Sequence, residues 1–294
     1  LVIKKLLTGL HMGHKYRIYL ISDSTGETLD RIFLAIKSQF SNFDYEKKEF
    51  VFVRTEQQID KIIRESKTKE NAIILYTVVE TKLAKYLSQT CEDKKIPCFG
   101  ILGNLILNFS KLLNQKATHT PSAQHVLDAD YYNRIEAIQF SITHDDGMKT
   151  EDIEIADIIL LGVSRTSKTP TSIYLANRGY KTLNIPLVET HEIPDLIKED
   201  PDNYCIIGLT VEADRLSDIR SNRLEIMKEN NISNYSNLDF IQKEIAESIK
   251  LFKKYKWPIV DVTRKSVEET AATIIKIFEI QKRKKNENNF SIQK

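Results

Sequence analysis

The chain of 294 residues carries 43 lysines and arginines against 41 aspartates and glutamates, for a net charge of +2, with 41% hydrophobic and 29% charged residues. That length and balance fit one large or two ordinary globular domains and exclude an intrinsically disordered chain, and the near-neutral charge offers no global field to recruit nucleic acid or a membrane. No apolar run approaches the roughly 18 residues of a membrane span, and Cys91, Cys98 and Cys205 lack metal-ligand spacing, so reduced thiols in a cytoplasmic protein are expected.

The opening, LVIKKLLTGLHMGHKYR, has neither a long apolar core nor a small-residue cleavage site. No signal peptide is expected, and residues 1–14 read as an N-terminal extension that the fold does not need. RIYLIS (17–22) is a strand, and DSTGETLDRIFLAIKSQF (23–40) is a tight turn and helix, with Ile32, Phe33, Ile36 and Phe40 at helical spacing. EFVFVR (49–54) is the next strand, QIDKIIRES a helix, NAIILYTVV (71–79) a strand and ETKLAKYLSQTCEDKK an amphipathic helix. IPCFGIL (96–102) and NLILNFSKLLNQ repeat the strand–helix pair. The alternation predicts an α/β fold, with a doubly wound parallel sheet in an N-terminal domain over residues 15–120. The polar, proline-containing KATHTPSAQ (116–124) is the candidate linker.

A second domain is expected over residues 125–285. LDADYYNRIEAIQFSITH (127–144) is a helix that Asp128 or Asp130 can cap, and DDGMKTEDIE is a loop. ADIILLGVS (156–164) is a buried strand, and TPTSIYLANRG (169–179) a helix with Pro170 in its first turn and Gly179 at its end. YKTLNIPLV (180–188), YCIIGLT (204–210) and WPIVDVT (257–263) are strands. An arginine-rich helix, EADRLSDIRSNRLEIMKE, follows the second of these, SVEETAATIIKIFEIQKRKK is the last helix, and residues 286–294 form a polar tail. No internal repeat of fixed period is present.

GVSRTSKTPT (162–171) nearly matches the phosphate-binding pattern G-x-x-x-x-G-K-[ST], with Ser167 in place of the second glycine. The segment leaves a buried strand and enters a helix, the context in which backbone N–H groups meet phosphate oxygens. The cradle would comprise Gly162, Val163, Ser164, Arg165, Thr166, Ser167, Lys168 and Thr169. Lys168 would reach the terminal phosphates, and the Thr169 hydroxyl would bind Mg²⁺. The competing reading is a polar turn with a chance Lys-Thr. Asp145 and Asp146, in HDDG (144–147), can divide the work of holding metal and accepting a hydroxyl proton; alternatively they form an ordinary turn. Arg215, Arg220 and Arg223 can clamp phosphate oxygens, or form a solvated face paired with Glu212, Asp214 and Asp218. SDSTGET (22–28) can bind an anion or a partner segment, or be a helix start capped by Ser24 or Thr25. His119, His125 and His144 are too scattered for a metal site.

ISDSTGET, RIEAIQFSITHDDG, ADIILLGVSRTSKTPTSIYLANRGYKTLNIPLV, GLTVEADRLSDIRSNRL and VDVTRKSVEETAA occur in that order. Together they resemble the bifunctional regulatory proteins of pyruvate, phosphate dikinase and of phosphoenolpyruvate synthase, over about residues 16–280. In that family Gly or Ser stands at the position of Ser167. The resemblance implies a P-loop-containing, kinase-like second domain and a serine/threonine kinase with ADP as donor. Its target would be a threonine beside the catalytic histidine of the dikinase, which phosphorylation inactivates. It also implies the reverse reaction, in which inorganic phosphate removes the group and pyrophosphate is released. ADP, inorganic phosphate and Mg²⁺ are the implied small molecules, the dikinase or the synthase the implied partner, and homodimerisation is left open. A small-molecule kinase and a non-catalytic nucleotide sensor are the rival readings.

Overall fold

The computed structural model describes residues 15–67, 71–148, 150–187, 193–200, 203–227 and 235–292. The expected extension, residues 1–14, lies outside them. The chain forms two compact units, Leu1–Val126 and Leu127–Lys294.

The first unit alternates β1 (Tyr16–Ile21), α1 (Glu27–Lys37), β2 (Tyr45–Phe50), α2 (Glu56–Lys67), β3 (Ala72–Tyr76), α3 (Thr81–Asp93), β4 (Cys98–Gly100) and α4 (Gly103–Leu113). Its strands are parallel, in the order β2-β1-β3-β4. Successive side chains of a strand point to opposite faces, and both faces here are covered: Ile18 and Leu20 pack in one apolar cluster, Tyr19 and Ile21 in another. The second strand differs from the expected 49–54. The pairing segment is YEKKEF, with Tyr16 opposite Tyr45 and Ile21 opposite Phe50. Phe52 already has φ 53°. An edge strand is held by its backbone ladder and tolerates charge, so the apolar FVFV run misplaces it.

The second unit begins with α5 (Ala129–Thr143), capped by Asp128, whose carboxylate accepts from the Tyr131 amide at 2.9 Å. Short 3₁₀ turns at Asp145–Gly147 and Thr150–Ile155 replace the expected loop. Then come β5 (Ile158–Gly162), α6 (Lys168–Ala176), β6 (Thr182–Pro186), α7 (Asp195–Glu199), β7 (Ile206–Thr210), α8 (Ala213–Met227), α9 (Leu238–Lys254), β8 (Ile259–Asp261) and α10 (Val267–Ile292). The strands are parallel in the order β6-β5-β7-β8, the same pattern as in the first unit. Ile158 and Leu160 face one cluster, Ile159 and Leu161 the other. Two helices, α7 and α9, have no counterpart in the sequence-based expectation. The last helix runs to Ile292, through most of the expected tail. No helix among the described residues is long and apolar enough to cross a membrane.

Candidate active site

β5 lies inside its sheet with all five residues buried, and the loop 163–167 carries the chain from its end into α6. A Cβ on Gly162 would stand 2.7 Å from Thr166 Oγ1 and 2.8 Å from the Leu209 carbonyl oxygen, so the close approach of β7 and the loop requires glycine. Ser167 sits at the helix start with φ 58° and ψ 25°, the left-handed conformation that glycine adopts freely, and Arg165 shares it with φ 74°. For a residue with a Cβ that conformation costs roughly 1 kcal/mol. The amide N–H groups of residues 164–169 have no hydrogen-bond partner among the described residues. They form a run of unpaired donors at the positive end of a helix.

Lys168 is 5% exposed, and its Nζ donates to the Val163 carbonyl at 3.0 Å. Burial pushes its ammonium down to about 8; Asp146 and Asp145 pull it up, while Arg165 and Arg220 oppose them. The HDDG segment therefore lies close enough to the loop to act on its lysine. Its two carboxylates are placed differently. Asp145 Oδ1 accepts from the Thr169 hydroxyl at 3.0 Å and from Asn184 Nδ2. Asp146 is exposed, with φ 52°. Gly147, with φ 77°, lies against the Pro186 ring rather than standing open.

Asn184 is absent from the residues picked by sequence. It is fully buried on β6, its Nδ2 also donates to Thr169 Oγ1 at 3.1 Å, and its Oδ1 is buried without a partner among the described residues. The one available signal was an amide inside the otherwise apolar strand TLNIP.

The arginines separate. Arg220 is 2% exposed: Nη1 donates to the Tyr235 carbonyl at 3.0 Å and to Glu244 at 2.8 Å, and Nη2 to the Ser164 carbonyl at 3.2 Å. Its guanidinium lies 4.8 Å from the Tyr235 ring centre, and the Tyr235 hydroxyl meets Arg165 Nε at 3.4 Å. Arg220 thus ties the loop, through the Ser164 carbonyl, to the Tyr235 carbonyl and to the Glu244 carboxylate on α9, where a phosphate clamp was expected, and Glu244 is its partner in place of Glu212, Asp214 or Asp218. Arg215 and Arg223 are exposed, so Arg220 and Arg223 do not present one common surface. His144 is buried, bonded to the Phe140 carbonyl at 2.7 Å and to Asp152 at 2.9 Å.

The groups present suit a phosphorylated ligand. Unpaired amides and a buried lysine favour phosphate oxygens, and the Asp145 carboxylate and Thr169 hydroxyl form a hard oxygen pair beside them, braced by the Asn184 amide nitrogen. No cluster of three or more His, Cys, Asp or Glu among the described residues can hold a metal alone. Mg²⁺ characteristically shares its coordination between one or two protein groups, phosphate and water, which this set can supply.

A family model described as kinase/pyrophosphorylase matches residues 18–275. A protein of Pelagibacter ubique (strain HTCC1062) is 64% identical over 271 residues, covering 92% of this chain and 99% of its own. One of Bartonella tribocorum (strain CIP 105476 / IBS 506) is 41% identical over 263 residues, covering 90% and 95%. Both are named as pyruvate, phosphate dikinase regulatory proteins.

Proposed function

The chain belongs to the kinase/pyrophosphorylase family, and on that premise we propose that it regulates pyruvate, phosphate dikinase by reversible phosphorylation of a threonine. ADP is the donor in the forward direction. Inorganic phosphate is the acceptor in the reverse direction, with release of pyrophosphate. The observation that carries this reading is the run of unpaired amides at residues 164–169, with Lys168 folded beneath it and Asp145, Thr169 and Asn184 gathered at its mouth. The names of the relatives support the dikinase as target.

In the forward direction the loop amides and Lys168 hold the donor's phosphates and offset the charge that builds on them. Asp146, exposed beside the lysine, accepts the proton of the threonine hydroxyl as that oxygen bonds to phosphorus and the bond to the AMP oxygen breaks. In the reverse direction a phosphate oxygen bonds to the phosphothreonine phosphorus, the bond to the threonine oxygen breaks, and Asp146 returns its proton to that oxygen. One site with two occupants then serves both activities. Bound Mg²⁺, held through Thr169 and Asp145, would neutralise phosphate charge. Asp145 fixes the Thr169 hydroxyl in place. Arg220 holds the loop from below.

The test incubates the protein with purified dikinase or phosphoenolpyruvate synthase, Mg²⁺, and ADP or ATP labelled in the terminal phosphate, followed by phosphosite mapping. Label from ADP on a dikinase threonine is the expected result. Label on the synthase alone would move the target. Label on a small molecule alone, or none at all, would overturn the reading in favour of a metabolite kinase or a nucleotide sensor.

A further inference from the structure

The first unit contains a cavity of about 410 Å³ at the C-terminal ends of β1 and β3. The order β2-β1-β3-β4 makes this the point where chain connections leave in opposite directions, the position at which open parallel sheets take ligands. The loop 22–26 leads from β1 into α1 and ends in Gly26 with φ 83°, and no side chain caps the helix. Neither Ser24 nor Thr25 fills the capping role expected of them. The amides of Thr25, Gly26, Glu27 and Thr28 have no hydrogen-bond partner among the described residues.

A second, independent feature points to an occupant. Asp23 lines the cavity and is 2% exposed; its Oδ2 accepts from the Val79 amide at 2.8 Å, while its Oδ1 has no partner among the described residues. A carboxylate held this deep, with one oxygen opening onto the cavity, gains from a second donor, and a ligand hydroxyl would supply one. Hydroxyls of Ser22, Ser24, Thr28, Thr77 and Thr118 line the rest of the wall. Arg54 stands beside it, its Nε on the Asp23 carbonyl at 3.3 Å and its Nη2 on Ser122 at 3.4 Å. No lysine lines the cavity, and the one neighbouring guanidinium, Arg54, is outnumbered by the carboxylates of Asp23 and of Glu27 in the first helical turn. That balance favours a single phosphate over a pyrophosphate. The volume lies within the roughly 300–1,000 Å³ of small-molecule sites.

We propose that this cavity binds a phosphate monoester of a sugar, its phosphate on the amides of residues 25–28 and a sugar hydroxyl on Asp23. The proposal is independent of the reaction assigned to the second unit. Its test uses the full chain carrying Lys168→Ala, so that the loop 163–169 is weakened, labelled with ¹⁵N and titrated with ribose 5-phosphate, ribose and inorganic phosphate. Ribose 5-phosphate should give saturable shifts at the amides of 24–28, with a Kd on the order of 1 mM or below, and bind more tightly than phosphate or ribose alone. Thr28→Glu places an acid in the first helical turn, where it favours the helix. The melting temperature should hold while affinity falls about tenfold or more, from charge repulsion at the same amides. No saturation, shifts confined to residues outside 22–28 and 117–125, unchanged affinity in a folded Thr28→Glu protein, or phosphate binding at least as tightly as ribose 5-phosphate would each overturn the proposal.

Discussion

Lys168 carries a positive charge against the loop backbone, and its burial makes that charge conditional on pH. Its folded value of about 8 lies below the ordinary 10.5, so the ammonium is present below pH 8 and lost above it. ADP affinity should therefore fall as pH rises from 7 to 9, while stability should rise between pH 8 and 10.5, where only the unfolded chain keeps the proton. Calorimetric titration at the two pH values checks the first expectation, with Lys168→Ala giving a flat response; equal wild-type affinities would contradict it. The two aspartates divide by their contacts. Asp146→Asn should leave nucleotide binding intact and slow transfer about 10²–10⁴-fold regardless of metal concentration, as loss of a general base does. Asp145→Asn weakens the set around Thr169 and Asn184, so raised Mg²⁺ should partly restore its rate. Rates of both variants across a Mg²⁺ series distinguish these roles, and identical metal responses would refute the division. The loop and the acid pair were legible as local patterns. Asn184 and Glu244 were not, because strand pairing and helix packing bring them to Asp145 and Arg220 from 39 and 24 residues away, and no local spacing encodes that.

At the level of elements, the buried strands and the helices that follow them emerge from periodicity, since Ile158–Gly162 and Ala72–Tyr76 are continuous apolar runs between polar turns. The edge strand β2 does not, because its pairing residues are mostly charged. α9 had a readable signal in Ile241, Ile245, Ser248 and Phe252 and a start at Asn237, which caps it through the amides of Asp239 and Phe240. This helix holds two features of the fold. Its Phe252 ring fills the space over Gly208, where a Cβ would come within 2.4 Å of the ring. Gly208→Ala should destabilise the protein by about 1–3 kcal/mol through overpacking, measured as a lower denaturation midpoint; unchanged stability would show that the β7–α9 contact yields. Its Glu244 pairs with Arg220. Arg220→Ala should cost about 2–4 kcal/mol, by loss of a buried charge pair and its carbonyl bonds. It should also raise KM for the donor, because the Ser164 carbonyl loses its tether. Denaturation and steady-state kinetics together check this, and a variant with lowered stability but unaltered KM would remove Arg220 from the positioning of the loop.

Across the whole molecule, two units of one strand order each place a strand–loop–helix turn at the reversal of their sheet. In both, the loop ends in a left-handed residue, Gly26 or Ser167, and leaves consecutive amides unpaired. Only the second turn adds a buried lysine and a carboxylate–threonine contact. That difference is the ground for placing the proposed phosphoryl transfer, in both directions, at the second turn. The most direct measurement is the rate of Lys168→Ala in each direction, with ADP and dikinase, then with inorganic phosphate and phosphorylated dikinase. Both rates should fall together, by about 10²-fold or more, as expected when a preorganised charge is removed from the transition state. Loss of the forward reaction with a normal reverse rate would contradict the shared site.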